Sequence, residues 1–469
     1  MKKTKIICTI GPKTAGKEML KEMIEAGMDV VRINLSHADH EIAESIINNI
    51  RELNKELKSN VGILIDIKGP KMRLINEETF SLKLGEEIVL TNEEEAGKLL
   101  VDYPNIILNV KKGDRILLSD GSIELKVLEK TETDLVCKVM NSGIIKGNAS
   151  VNIPGVRLDM DFLSVSDKDD IAFASKMKAD FISLSYVCNA NDVLDVNDML
   201  IGFRNEHAQL IAKIENSQAI EDIDNIIKVS DGIMIARGDL GVEMDVECLP
   251  SIQKEIVKKC YHTNKICIVA TQMLASMEEN PIPTRAEVSD VANAVIDGVD
   301  SVMLSGETAI GKYPIETIKV MNKIIVNIEK NLDYEALLMS KKTEEKQDIT
   351  TVIAHSVVDG ANRLKADAIL VSTMSGYTAR KVSNFRPASP IITITPNKEV
   401  ARSLSLNWGI IPVISPMFDS TDEIVEMAIK IAKEKIKNKE KMKIIITGGF
   451  PITKEKATNF MKVEEIDVN

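Results

Sequence analysis

Through the first two-thirds of the chain, short apolar runs rich in β-branched residues alternate with stretches whose apolar positions recur at helical spacing. The runs occupy residues 5–10, 30–35, 62–67, 180–184, 209–214, 232–237, 266–271 and 301–305. Strands alternating with helices predict a parallel sheet, and eight is the number that closes a barrel. Successive runs end about one βα unit apart, except that about 110 residues separate the third from the fourth. An insertion is expected there.

Within that insertion, roughly 70–156, the pattern becomes strand-like runs at 80–84, 87–91, 115–118, 123–128 and 134–139, with turn signals between them. Asp120-Gly121 sits between two of the runs and is a strong hairpin signal. A small all-β domain is predicted, able to close as a lid over the barrel's C-terminal mouth. After the eighth run, a helix over 314–329 leads into a charged stretch, 341–346, read as a solvated linker or helix face. A helix over 349–364 follows, then strands at 368–372, 391–395, 410–414 and 443–447 alternating with helices, a doubly wound pattern. The fold class is α/β. A TIM (β/α)8 barrel is expected at 1–69 and 157–335, an inserted small β-barrel lid at 70–156, and an open-sheet α/β domain at 336–469.

At 469 residues the chain has room for two to four domains, and 44% hydrophobic with 28% charged residues describes an ordinary globular protein. The formal net charge of −12 argues against nucleic acid or an anionic membrane as partner. An anionic substrate would need positive charge concentrated locally. The six cysteines show no metal-ligand spacing and fit reduced, packed thiols of a cytoplasmic protein. The amino terminus opens into a strand too short for a signal sequence, and no apolar run reaches membrane-spanning length.

The chemistry gathers at the ends of the strands. Lys213-Ile-Glu215 and Arg237-Gly238-Asp239 each end an apolar run in charge, and charged residues are seldom buried unpaired. Two carboxylates with an adjacent Lys and Arg suit a divalent metal holding a phosphorylated substrate; a structural ion-pair cluster is the plainer alternative. Other strand ends carry Arg32, Asn34, Ser36 and His37; Asp66, Lys68, Lys71 and Arg73; Thr271; and Ser305 and Glu307. In a barrel, all of these converge on one rim.

Here the chain resembles the pyruvate kinase family. The resemblance covers nearly the whole length and rests on Lys5-Ile-Ile-Cys-Thr-Ile-Gly-Pro12, Val31-Arg-Ile-Asn-Leu-Ser-His37, Asp231-Gly-Ile-Met-Ile-Ala-Arg-Gly-Asp-Leu-Gly-Val-Glu243, Ala270-Thr-Gln-Met-Leu274, Pro283-Thr-Arg-Ala-Glu287, Asp290-Val-Ala-Asn-Ala294 and Met303-Leu-Ser-Gly-Glu-Thr-Ala309. It implies the same three-domain fold and phosphoryl transfer from phosphoenolpyruvate to ADP, giving pyruvate and ATP. By resemblance Lys213 lies beside the transferring phosphoryl and Arg32 bridges it. Glu215 and Asp239 would hold Mg²⁺ or Mn²⁺, the backbone of Gly238 and Asp239 the substrate carboxylate, and Thr271 would relay a proton to the enolate. Ser305 reads equally as substrate contact or helix cap. Arg32, Asn34, His37 and Arg73 are candidate nucleotide contacts, with backbone bonding an equal reading for His37. A homotetramer is implied as well.

Departures from the family pattern matter. Members that need potassium place it on residues matching Asn34, Ser36 and Asp66, and follow Lys-Gly-Pro with Glu, whereas this chain has Lys71. That residue resembles the potassium-independent branch, in which an ammonium supplies the monovalent charge, so K⁺ is expected to be unnecessary. Strand four ends Ser185-Tyr186-Val187-Cys188 where the family often has Phe-Val-Arg, and Gly147-Asn148-Ala149-Ser150 replaces a usual basic pair. The loop with Thr373, Ser375, Gly376 and Thr378 matches the one that holds an effector's phosphate. The later loop 448–453 lacks an Arg used by some fructose-bisphosphate-regulated relatives, so another sugar phosphate or a nucleotide is the expected effector. Two rivals stand beside the kinase: a Mg²⁺-dependent pyruvate-enolate lyase and a non-catalytic metabolite sensor.

Overall fold

The computed structural model describes all residues except 77, 94, 96, 104, 157–159, 206, 342–347, 437–438, 451–457 and 468–469. Three strands open the chain: β1 (Lys5–Thr9), β2 (Val30–Asn34) and β3 (Gly62–Asp66). Nine short ones follow: β4 (Met72–Arg73), β5 (Phe80–Leu82), β6 (Glu87–Thr91), β7 (Leu99–Leu100), β8 (Arg115–Leu118), β9 (Ile123–Lys130), β10 (Asp134–Val139), β11 (Gly143–Ile145) and β12 (Ser150–Asn152). Then come β13 (Phe181–Leu184), β14 (Gln209–Ile214), β15 (Gly232–Ala236), β16 (Ile266–Ala270) and β17 (Ser301–Leu304).

β1–β3 and β13–β17 form a closed parallel barrel in the order β1-β17-β16-β15-β14-β13-β3-β2. This is the TIM barrel read from the pattern. Most expected strands ran one residue too far, because Arg237, Thr271 and Ser305 already turn out of the sheet at the rim. Side-chain alternation divides each strand between two cores. Ile7, Val30, Leu64, Phe181, Ile211, Met234, Ile268 and Met303 fill the barrel interior. Ile6, Cys8, Val31, Ile33, Ile63 and Ile65 pack outward beneath the helices.

The insertion forms a seven-stranded sheet ordered β4-β12-β8-β9-β10-β6-β7 and a two-stranded β11-β5 pair. The two ends of the larger sheet meet. Ile75 N–H donates to Leu100 O at 2.9 Å, Asp102 N–H to Arg73 O at 3.0 Å, and Leu74 bridges Val101. Its apolar positions face a core of their own, including Leu90, Ile116, Leu125 and Cys137. Asp120-Gly121 lies in the β8–β9 turn, with φ of 53° and 82°. β4, β7, β11 and β12 were not legible because two or three residues carry no period.

The C-terminal sheet has β18 (Ala368–Ser372), β19 (Ile391–Thr395), β20 (Ile410–Ile414), β21 (Lys441–Gly449) and β22 (Thr458–Asp467), in the order β20-β19-β18-β21-β22. Separate apolar layers cover its two faces. The expected four strands are parallel, and β22 adds an antiparallel edge that sequence reading missed. Its Lys462, Glu464 and Glu465 obscure the alternation. Lys341 corrects another reading: it ends the helix Tyr334–Lys341, is buried, and its Nζ donates to Asn264 Oδ1 at 2.7 Å. Residues 342–346 of that charged stretch, and 451–453 of the late loop, lie outside the described residues.

The C-terminal domain closes the barrel's N-terminal end. Leu406 enters the interior cluster, and Gly62 leaves room for Ser405, whose Oγ would lie 2.2 Å from a Cβ there. Asp300 at that end accepts from Arg386 Nη1 at 2.8 Å and Trp408 N–H at 3.2 Å. The C-terminal rim is thereby left to the inserted domain. No helix among the described residues is long and apolar enough to cross a membrane.

Candidate active site

Each rim residue sits where a strand stops. Arg32 in β2 and Asp66 at the end of β3 meet across adjacent strands: Arg32 Nε donates to Asp66 Oδ2 at 2.7 Å, and Nη2 lies 2.5 Å from the same oxygen. Arg32 Nη1 also donates to Thr9 Oγ1 at 2.9 Å. Lys213, in β14, directs Nζ to Glu215 Oε1 at 2.9 Å, Ser185 Oγ at 2.7 Å and Asp66 Oδ1 at 3.4 Å. These four charged side chains are buried at the floor of the rim.

Their electrostatics are mutually determined. Burial alone would raise the Asp66 carboxyl, but Lys213 and Arg32 outweigh it and hold the group at about 2. Burial works against the Lys213 charge, yet Asp66 and Glu215 raise its pKa, so the ammonium stays protonated. Glu215 is pushed up, first by burial and also by Asp239, against the pull of Lys213. Two carboxylates that disfavour each other's charge mark a place for a cation.

The fit to a divalent metal rests on Glu215. Its Oε2 accepts Tyr186 N–H at 2.6 Å, while the buried Oε1 accepts no well-directed hydrogen bond among the described residues despite the nearby Lys213. Asp239, in the helix Arg237–Glu243, supplies the second carboxylate. Lys71 Nζ lies 2.7 Å from Asp239 Oδ1. Burial lowers the Lys71 pKa, and the Glu215 and Asp239 carboxylates more than reverse that. The ammonium thus sits at the carboxylate pair. Of the residues expected at a potassium site, Asn34 and Asp66 are cross-strand neighbours, with Asn34 Oδ1 accepting Ser36 N–H at 3.0 Å; Asp66 is already neutralised by Arg32 and Lys213.

Thr271 follows β16 at φ +67° and Gln272 at φ +54°, a conformation costly for a β-branched residue. Thr271 Oγ1 donates to Ala270 O at 2.6 Å and accepts Gly238 N–H at 2.8 Å. The Gly238 amide expected to meet a substrate carboxylate is therefore on this hydroxyl. Arg237 holds the turn from behind: Nη2 donates to Thr271 O at 2.8 Å, and Nη1 pairs with Asp290 at 2.7 Å. It faces away from the floor. Glu307 joins the neighbouring turns, accepting Leu274 N–H at 3.1 Å and Ser305 N–H at 2.7 Å. Ser305 makes no capping bond, and its buried Oγ has no partner among the described residues. That removes the capping half of its two readings.

Above the floor is a cleft of about 800 Å³, walled on one side by Gly238, Asp239, Thr271 and Ser305 and on the other by Asp120, Asn148, Ser150 and Asn152 of the inserted domain. His37, Lys71 and Arg73 also line it, and Arg73 Nη1 donates to Asn148 O at 3.0 Å. The inserted domain is tied down by Glu243 Oε1, which accepts Asn152 Nδ2–H at 3.0 Å and the Tyr186 hydroxyl at 3.2 Å. Ser185, Tyr186 and Glu243 were not among the expected site residues, and Glu307 was expected only as a rim residue with no part assigned; the unusual Ser185-Tyr186 strand end pointed near the first two. The loop with Thr373, Ser375, Gly376 and Thr378 lies in the C-terminal domain. Gly376 N–H donates to Thr373 Oγ1 at 3.0 Å, and the Thr378 and Thr458 hydroxyls meet at 2.7 Å.

Comparison with known proteins agrees over both halves. Residues 1–318 match the family described as "Pyruvate kinase, barrel domain", and 351–464 match "Pyruvate kinase, alpha/beta domain". The chain is 43% identical to a pyruvate kinase of Geobacillus stearothermophilus over 99% of its own length and 80% of that protein's. It is 42% identical to a pyruvate kinase of Clostridium perfringens over 99% of its own length and 100% of the relative's.

Proposed function

The chain belongs to the pyruvate kinase family, and we propose that the floor and cleft just described form the centre of its reaction. It is a phosphotransferase that moves the phosphoryl group of phosphoenolpyruvate to ADP, giving pyruvate and ATP. The observation that carries the site assignment is the buried Arg32–Asp66–Lys213–Glu215 cluster beneath a cleft large enough for two anionic substrates.

Phosphoryl transfer needs alignment and cancellation of charge on the transferring oxygens. Arg32, oriented by Asp66 and Thr9, presents a fork of donors to the phosphoryl, and Lys213 adds a point charge kept protonated by its neighbours. Glu215 and Asp239 are the residues that would hold Mg²⁺, which when bound neutralises phosphate and enolate oxygens. Lys71 would leave Asp239 as that charge is met. The substrate carboxylate replaces Thr271 on the Gly238 amide and takes the Asp239 amide beside it, freeing the Thr271 hydroxyl to pass a proton toward the enolate carbon. Ser305 Oγ offers a further polar contact beside it. His37 and Arg73 border the cleft on the nucleotide side, with Asn34 at the strand end beside them, and residues 70–156 act as its lid. The loop at 373–378 receives a phosphorylated effector. Function as a cytoplasmic homotetramer without K⁺ completes the reading.

Lys213→Met tests it. The substitution keeps the stem and removes the charge, so pyruvate formation should fall by about three orders of magnitude or more with fold and substrate binding retained. Turnover within tenfold of the parent, about 1.4 kcal/mol, would move phosphoryl stabilisation to another side chain.

A further inference from the structure

The proton that Thr271 passes to the enolate has to be replaced at every turnover, because a hydroxyl carries one O–H and is a weak acid. None is free on the floor. Asp66 is held ionised at about 2, Glu215 faces the metal, and Lys213 is kept charged beside the phosphoryl. The source has to stand on the cleft wall. Glu278 stands there: it ends the short turn Ala275–Glu278 that follows Thr271 in the chain, and both residues line the cleft.

The place of this carboxyl is built into the backbone. A Cβ at Gly306 would lie 2.0 Å from Glu278 Oε1 and 2.7 Å from Cδ, so the side chain rests on the bare face of a glycine. The residue before that glycine is Ser305, whose buried Oγ has no partner among the described residues. Lys312 N–H donates to the Glu278 carbonyl at 2.8 Å and fixes the end of the turn. The groups around the carboxyl are acids or already paired. Glu307 approaches from the helix Gly306–Ala309, the adjacent Glu279 is paired with Lys312, and Glu287 accepts from Ser276 and Thr284. Partial burial first, then Glu307 and Glu279, push the Glu278 carboxyl up, and no cation pairs with it among the described residues.

We propose that Glu278 is the proton reservoir of the last step, refilling the Thr271 hydroxyl through water in the cleft. This deepens the kinase reading above and rests on it. Once Gly238 N–H has turned to the substrate carboxylate, a lone pair of Thr271 Oγ1 is open to accept a proton. The Glu278 O–H breaks, a cleft water takes that proton and gives its own to Thr271, and the Thr271 hydroxyl proton forms the new C–H bond at the methylene carbon. The enolate electrons close the ketone. Negative charge ends on the Glu278 carboxylate, which solvent reprotonates after pyruvate leaves. In reverse, the same carboxylate takes a proton from the pyruvate methyl group. Glu278 acts through Thr271, and the bare Gly306 holds it in position.

Exchange of the pyruvate methyl protons with D2O, followed by proton NMR on the full chain with Mg²⁺ and ATP, isolates this step. In the parent, exchange should fall as pH drops through the titration of Glu278, because the carboxylate is the form that accepts the proton. Glu278→Gln should slow exchange by about tenfold or more and lose that acid limb, with KM for phosphoenolpyruvate and ADP within about twofold of the parent. Glu278→Asp, which keeps the acid, should keep the limb. Exchange by Glu278→Gln at the parent's rate, or with the acid limb intact, would overturn the proposal and leave the kinase reading standing. A parent that neither exchanges these protons nor forms pyruvate would overturn both.

Discussion

Thr271 holds a β-branched side chain at positive φ, an arrangement that persists only because Arg237 clamps its carbonyl and Glu307 fixes the next turn. Its hydroxyl is delivered to the floor by constraint. Asp66 plays a comparable part for charge. Its folded pKa lies below the ordinary 3.8, at about 2, so its stabilisation is present above pH 3.8 and is lost as pH falls through 2. Nearly two pKa units correspond to about 2 kcal/mol. The thermal midpoint of Asp66→Asn should therefore trail the parent at neutral pH, and the gap should narrow between about pH 4 and pH 2. A gap independent of pH would show that the Arg32 and Lys213 contacts stabilise nothing. Lys71 gives a third test at this scale. Activity measured in tetramethylammonium chloride should change little on adding KCl, whereas Lys71→Glu, which removes the resident cation and adds an anion, should need KCl for most of its turnover. Stimulation of the parent by more than about tenfold would end the surrogate reading. Charged residues at strand ends were legible because burial penalises them. Thr271's strain and the turning of Arg237 away from the floor were not, since a sequence carries residue identity and no dihedral.

The elements were read with unequal success for a physical reason. All eight barrel strands are buried on both faces and announce themselves as apolar runs, so their positions were found to within a residue or so. β22, at the sheet edge, is buried only at its first residue and carries charged positions through its second half, so it was missed, as were four strands of two or three residues. One of those, β12, carries a contact that couples the inserted domain to the barrel. Glu243 accepts from Asn152 on one side and from the Tyr186 hydroxyl on the other. Tyr186→Phe removes one of the two bonds, worth about 1 kcal/mol. Opening should become roughly fivefold more frequent, seen as faster hydrogen exchange in the β12 amides. Unchanged exchange there, with faster exchange elsewhere, would mean that Tyr186 supports only the barrel.

At the scale of the whole molecule the two ends of the barrel have different tenants. The inserted domain covers the rim where charge accumulates, and the C-terminal domain stops the other end with Leu406 and an ion pair between Arg386 and Asp300. Leu406→Ala should cost about 3 kcal/mol, as for other fully buried leucines, and lower the thermal midpoint of barrel and C-terminal domain together. Independent melting of the two would show that the plug is not shared. The alternation of elements displayed three domains along the chain, but not this docking, because neither Leu406 nor Gly62 differs in sequence from any other core residue.

Gly62 has a consequence for how such a protein can change over time. A barrel whose last interior position is filled by another domain's leucine, beside a glycine that leaves room for that domain's serine, is not a self-sufficient module. Cut between the two domains, it would expose an unfinished core. Grafted onto a different partner, it would meet a side chain of the wrong shape. The two domains are therefore bound to be inherited as a pair, and recombination between relatives should succeed only where Gly62 and the 405–406 segment travel together.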